Sequence, residues 1–174
     1  YKTKGILHSL MCALLNIDQK ALIVYGDVFF DHIVIERLID SPEDITIVVD
    51  ANYNLKHRVP GKTAELVVGS VKPQRLRRSI HNNTLLTVKN IGPSVKPDEA
   101  EYEFSGIMLL SKKGVKIFKD IYRESKRRYG KKLFNGDRVF DKSFASSLLQ
   151  EIINRGHPVH YLEVNSGWME IHSI

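Results

Sequence analysis

Cysteine is almost missing from this 174-residue chain, which holds Cys12 alone. One cysteine excludes an internal disulfide framework and a cysteine-based zinc site, and it fits a reducing, cytoplasmic setting. Long apolar runs are missing too. Nothing approaches the roughly 18 residues of a membrane span, so no membrane partner is expected. No signal peptide is visible. The chain starts at Tyr1 rather than at Met, and it reads as a processed protein or as a piece of something longer. Repeats and low-complexity tracts are absent, and so is any G-x-G-x-x-G. Gly61-Lys62-Thr63 looks like the tail of a phosphate-binding P-loop, but that pattern needs a glycine five residues earlier, where Lys56 stands. Residues 52–60, just before it, do not read as a strand either. The histidines follow no metal-binding spacing. His157 and His160 flank Pro158 and read as structural or solvent-facing. No Ser, His and Asp set singles itself out as a triad.

What is present is the composition of a folded domain. The chain is 43% hydrophobic and 26% charged, enough apolar material for a core within one domain. Its net charge is +6, unevenly spread. Lys72, Arg75, Arg77 and Arg78 form one basic cluster; Arg123, Lys126, Arg127, Arg128, Lys131 and Lys132 form another. Positive potential suits phosphate-bearing partners, from a nucleotide to RNA, while the plainer reading is a pair of solvated surfaces. The first cluster contains no aromatic residue, and the second has only Tyr122 and Tyr129 beside it. Single-strand readers interleave bases with aromatic platforms, and no RRM or zinc-finger signature exists. Nucleic acid is therefore not the expected partner, although a basic RNA-binding domain stands as an alternative.

Periodicity divides the chain. Ile6, Leu7, Leu10, Met11, Leu14 and Leu15 recur at helical spacing and predict a helix over 6–15, with Cys12 in its core packing. Residues 21–24 predict a buried strand. Asp31 can cap a helix carrying Ile35, Leu38 and Ile39, which Ser41-Pro42 ends. Residues 45–49 are β-branched and predict a second buried strand, closing on Asp50. This alternation points to a parallel sheet under helical cover. Strand-like runs at 65–71, 84–91 and 102–110 follow without helices between them, separated by turn signals at Pro60-Gly61, His81-Asn82-Asn83 and Gly92-Pro93. They suggest an antiparallel or mixed portion. Helices are predicted over 112–124 and 143–155, the second stopping at Gly156, and final strands over 159–164 and 168–171. The expected architecture is a three-layer α/β domain with a mixed, mostly parallel sheet.

Two places carry candidate chemistry. Tyr25-Gly26-Asp27 follows the apolar run 21–24, so a buried strand ends on a carboxylate, and ligands of open α/β sheets gather at the carboxyl ends of strands. Gly26 lets a backbone or ligand approach closely. Asp27 can bind Mg²⁺ and through it phosphate oxygens, or it can simply cap the next turn. Near the other end, Glu170 and His172 are two residues apart on a predicted strand and share a face. They can form a pair of metal ligands or the polar outer face of an edge strand; magnesium, which prefers oxygen, would find His172 an indifferent ligand.

With these placed, the chain resembles the nucleotidyltransferases of the phosphocholine and phosphonate cytidylyltransferase type, including the domains fused to phosphoenolpyruvate mutases. The resemblance runs from Lys4-Gly5-Ile6-Leu7-His8-Ser9-Leu10 through Leu22-Ile23-Val24-Tyr25-Gly26-Asp27-Val28-Phe29-Phe30, Ser41-Pro42-Glu43-Asp44-Ile45 and Ile47-Val48-Val49-Asp50. It continues at Glu103-Phe104-Ser105-Gly106, at Leu148-Leu149-Gln150-Glu151-Ile152 and at Arg155-Gly156-His157-Pro158-Val159, and it ends at Gly167-Trp168-Met169-Glu170-Ile171-His172-Ser173. It implies a GT-A-like fold over residues 1–174. The implied reaction is attack by a phosphate or phosphonate oxygen on the α-phosphorus of a nucleoside triphosphate, CTP, with Mg²⁺ as cofactor and release of pyrophosphate. By the resemblance, Asp27 is the Mg²⁺-binding and catalytic aspartate after glycine. Glu170 and His172 match a late pair of acidic metal ligands, with Glu170 catalytic. Ser9 and Gly26 lie near the nucleotide, and Glu103 lies on the acceptor side, where it suits a cationic amine or choline head group. Lys72 is a candidate phosphate partner or a solvated lysine.

Two departures stand out. The family opens with a Gly-rich loop that wraps the triphosphate, and nothing here precedes Tyr1; His172 stands where the family carries Asp. The chain also stops at Ile174, where the family continues into a helix. The expectation is a domain truncated at both ends, which alone does not bind a nucleotide normally. A catalytically impaired binding or regulatory module of the same fold is the alternative.

Overall fold

Six residues in succession, Ile45–Asp50, are buried, with no alternation between an inner and an outer face. A strand of that kind must be covered on both sides, and the computed structural model of the protein shows how. It describes residues 5–52, 64–73, 86–135 and 138–171. The turns at Pro60-Gly61 and His81-Asn82-Asn83, the segment Gly61-Lys62-Thr63, Arg75, Arg77, Arg78 and His172 lie outside the described residues.

The described elements run α1 (Ile6–Leu14), β1 (Ala21–Val24), β2 (Val28–Phe30), α2 (His32–Ile39), β3 (Ile45–Asp50), β4 (Leu66–Gly69), β5 (Leu86–Ile91) and β6 (Tyr102–Leu110). They continue with α3 (Lys112–Tyr129), β7 (Leu133–Phe134), β8 (Arg138–Val139), a 3-10 turn (Phe140–Lys142), α4 (Ala145–Asn154), β9 (His160–Val164) and β10 (Trp168–Glu170). The main sheet has the order β1-β6-β3-β9-β5-β4, and β4 also meets β6. β2 pairs with β10, and β7 with β8, in two small ribbons.

The sheet is mixed, as expected, but its directions are distributed in an unexpected way. β1, β3, β4 and β9 run one way and β5 and β6 the other. Yet β3–β9 is the one parallel ladder among the described strands, because β6 inserts antiparallel between β1 and β3. The βαβ pattern at the start thus gives two strands of the same sense that never touch.

Side-chain alternation on β3 and β6 feeds two cores. Ile45, Ile47, Val49, Met108 and Leu110 face the layer made by α1, α3 and α4, where Leu7, Met11, Phe118, Leu148 and Ile152 meet them. Val48, Ile107 and Leu109 face the other way, onto Val34 and Leu38 of α2, Val28 of β2 and Val164. Each fully buried side chain of this kind contributes about 1.5–3 kcal/mol relative to exposure.

Three sequence expectations are corrected. Cys12 is exposed rather than in the core. The buried positions of α1 are Leu7, Met11 and Leu14, and residue 12, one step of 100° beyond Met11, is carried off that face. β1 is only partly buried, with Leu22 exposed, because it is the sheet's edge strand. α3 runs further than expected, to Tyr129, and takes Lys126, Arg127 and Arg128 into its last turn. There they complement the negative end of the helix dipole, which accounts for much of the second basic cluster. Asp31 caps α2 as expected, accepting from the Ile33 amide at 3.1 Å, and α4 stops at Gly156, whose φ of +83° suits glycine.

Candidate functional site

A turn carries Asp27 into place. The Val28 amide donates to the Tyr25 carbonyl at 3.2 Å, leaving Gly26 and Asp27 as the turn's central residues. On one side the Tyr25 amide donates to the Gly106 carbonyl of β6 at 3.1 Å, and on the other the Ile171 amide donates to the Asp27 carbonyl at 2.7 Å. Glu170 sits opposite Val28 in the β10–β2 ladder. The residue after Asp27 and the residue before Ile171 are therefore ladder partners, and the early carboxylate and the late one belong to a single small structure.

That ribbon is fastened to the main sheet at Asp50. The Asp50 carboxylate accepts from the Trp168 indole N–H at 2.9 Å and from the Ser166 amide at 3.1 Å, and also from the Asn52 amide at 2.8 Å. Trp168 is two residues before Glu170, so the strand that carries Glu170 hangs from the carboxyl end of β3.

Asp27, Glu170, Gly26 and Glu103 line one cleft of about 580 Å³. It lies at the carboxyl end of β1 and the amino end of β6, where Glu103 is level with Asp50, the last residue of β3. Asp27 and Gly26 are exposed, and Glu103 and Glu170 are half-buried. A Cβ on Gly26 would meet nothing within 4 Å. No protein atom crowds that exposed glycine.

Ser9 is not brought to this place. The cleft touches α1 at Ile6, its first residue. Ser9 is exposed one turn further along the helix. Lys72 is exposed on the loop after β4 and is not part of the lining. Among the described residues no group of three or more His, Cys, Asp and Glu side chains is disposed to hold a metal ion; His172, the third expected ligand, lies outside them.

Among the lining residues that sequence reasoning missed are Glu65, Arg138 and Trp168. Glu65, just before β4, is buried at the floor. Its carboxylate accepts from the Tyr25 hydroxyl at 3.1 Å, from the Ser146 hydroxyl, and from the Ser146 amide at 3.4 Å. Burial raises its pKa above the ordinary carboxylate range despite those donors, and the Glu103 charge adds to the rise. Tyr25 is pushed well above the usual phenol value, first by burial and then by the Glu65 charge. Arg138, on β8, is the one cation among the described lining residues, and its guanidinium lies over the Phe144 ring at 4.5 Å. Trp168, the third, lines the cleft while its indole holds Asp50. Chemically, the cleft sets four carboxylates and several aromatic faces against one stacked guanidinium.

No family model and no curated protein sequence matches the chain. Solved structures do. Over 96% of this chain it is similar to the inositol-1-phosphate CTP transferase from T. maritima, with a TM-score of 0.60 and 15% identity, covering 55% of that chain. The nucleoside-diphosphate-sugar pyrophosphorylase from Vibrio cholerae RC9 matches with a TM-score of 0.54 and 15% identity, over 98% of this chain and 62% of that one. The UDP-glucose pyrophosphorylase from Acinetobacter baumanii matches with a TM-score of 0.57 and 13% identity, over 95% of this chain and 51% of that one. The architecture is thus the GT-A-like α/β fold of these nucleotidyltransferases. The chain spans somewhat more than half the length of the structures it matches.

Proposed function

We propose that this chain forms the body of a Mg²⁺-dependent nucleotidyltransferase that transfers a CMP group from CTP to a phosphonate or phosphocholine-like acceptor and releases pyrophosphate. The observation that carries the reading is the convergence of Asp27 and Glu170 on one cleft at the carboxyl end of β1, in a fold shared with nucleotidyltransferases. The donor set fits the ion: two carboxylates suit a hard cation that keeps waters and phosphate oxygens as its other ligands. Asp27 and Glu170 would hold Mg²⁺, with His172 as a further ligand. When bound, the ion would neutralise the triphosphate, so that an anionic acceptor can approach it.

The chain's own residues supply the rest. In the reaction a phosphonate or phosphate oxygen of the acceptor forms a bond to the α-phosphorus, the bond from that phosphorus to the β-phosphate bridge breaks, and pyrophosphate carries away the electron pair. Arg138, held over Phe144, offers a planar donor set to a phosphoryl oxygen. Glu103 offers a negative charge to an acceptor amine. An acid-rich wall would repel an acceptor that carried only negative charge, so it favours one bearing an ammonium group as well.

The test is the full-length protein with CTP, Mg²⁺ and either 2-aminoethylphosphonate or phosphocholine, read by pyrophosphate release. Release is expected with at least one acceptor, and Asp27→Ala should abolish it. No release with any such acceptor, under conditions where a related enzyme turns over, would overturn the proposal.

A further inference from the structure

The most deeply buried acid of the cleft is the one for which nucleotidyl transfer has no immediate use. Glu65 is 8% exposed, and the proposed cation ligands are Asp27 and Glu170 instead. Its carboxylate is nevertheless fully engaged, with one oxygen accepting from Ser146 at the start of α4 and the other from the Tyr25 hydroxyl. A buried carboxylate costs stability unless its lone pairs are occupied. This one is kept in a place where its partners are a helix start on one side and, on the other, the first residue of the turn that presents Asp27.

Tyr25 is held at every point where it could move. Its amide is bonded to Gly106, its hydroxyl to Glu65, and its ring packs edge-on to Phe104 with centroids 5.9 Å apart. The ring also lies directly over Gly106, where an added Cβ would come within 2.5 Å of it and where φ is +79°. A side chain at that position would collide with the ring, and its backbone conformation is one that suits glycine. Asp27 follows two residues later on an exposed turn.

We infer that Glu65 is a positioning residue for Asp27, acting through the Tyr25 hydroxyl, and that this tether sets the geometry with which Asp27 meets a divalent cation. The inference rests on the proposed role of Asp27 as a metal ligand. It ties α4, the approach to β4 and the Gly26-Asp27 turn into one rigid unit under the cleft. Groups hydrogen-bonded directly to a metal ligand tune affinity by about 10–100-fold; Glu65 acts one link further away, so the low end of that range is expected.

The probe is Mn²⁺, a spectroscopically visible divalent cation, titrated into the purified chain and followed by calorimetry and by electron paramagnetic resonance. Wild type should bind and Asp27→Ala should not. Tyr25→Phe keeps the ring on Gly106 and loses only the hydroxyl; it should weaken Mn²⁺ by about tenfold. Glu65→Ala should weaken it equally, and the double variant should be no weaker than either single one, because both cut the same tether. Glu65→Gln, which can still bond the Tyr25 hydroxyl, should recover most of the affinity. Additive losses, or wild-type Mn²⁺ affinity in Tyr25→Phe alongside loss in Asp27→Ala, would overturn the inference while leaving the metal site standing. Mn²⁺ binding that ignores Asp27→Ala would remove the metal site itself, and the inference with it. If Glu65→Ala does not fold, Tyr25→Phe and Glu65→Gln decide the matter.

Discussion

Removing the Asp50 carboxylate should loosen the cleft without touching its proposed chemistry. Asp50 ends β3 and accepts three hydrogen bonds, from the Trp168 indole and the backbones of Ser166 and Asn52, all between 2.8 and 3.1 Å. A bond to a charged acceptor contributes about 1.5–3 kcal/mol, and a donor left dry costs about 1–3 kcal/mol. Asp50 lies at the rim of the sheet, where water can reach the freed amides and recover part of the loss. Asp50→Ala should therefore cost about 3 kcal/mol rather than the full total. For a chain of this length that corresponds to a fall in Tm of roughly 6–12 °C. Asp50→Asn keeps one oxygen as an acceptor and should cost about 1 kcal/mol. The assay is urea unfolding followed by far-UV circular dichroism and by fluorescence. Trp168 is the only tryptophan, so the emission reports on the residue that loses its partner, and its folded baseline should shift to the red. An unchanged midpoint with unshifted emission would refute the claim that Asp50 fastens β10 to the sheet.

Other substitutions probe other links. Gly106→Ala should destabilise by about 3 kcal/mol, since it adds left-handed strain to a collision with the Tyr25 ring at 2.5 Å; chemical denaturation reads it, and a loss under 0.5 kcal/mol would contradict the packing. Leu148→Ala, at a fully buried position of α4, should cost about 2–5 kcal/mol in the same experiment. Asp44 is held below its ordinary value of 3.8, chiefly by the Lys113 ammonium and then by the Ser111 hydroxyl. Its folded pKa lies below the unfolded one, so its contribution is present above about pH 4 and is lost as pH falls through the folded value. Asp44→Asn should lower stability at pH 7 and flatten the acid limb; an unaltered acid limb would count against the pairing.

Much of the fold could be read from residue order alone, because it depends on local periodicity. The apolar spacing of α1 and α4, the β-branched run of β3, the Asp31 cap and the Gly156 stop are short-range signals, and each is where the pattern places it. Strand neighbours are not short-range. That β6 would slip between β1 and β3 depends on which edges bury the most surface once all strands exist, and no local pattern encodes that. Cys12 shows the same limit on a smaller scale: an apolar run names a helix, but a face 100° wide decides which members are inside.

The candidate site divides in the same way. Asp27 is legible as a carboxylate at a strand end and Glu170 as a polar residue on a late strand, Glu103 is named only through the family resemblance, and all three line the cleft. Ser9 does not line the cleft, because proximity along a motif is not proximity in space. Glu65 and Arg138 could not be found in advance: nothing beside them in the chain marks them, and their partners, Tyr25, Ser146 and Phe144, lie 6 to 81 positions away. Chain order fixes which side chains are available and where each element begins, since those follow from backbone preference and polarity over a few residues. Tertiary structure alone decides which acid is buried, which meets solvent and which faces the guanidinium, because burial and electrostatic fields arise only when distant segments exclude water together.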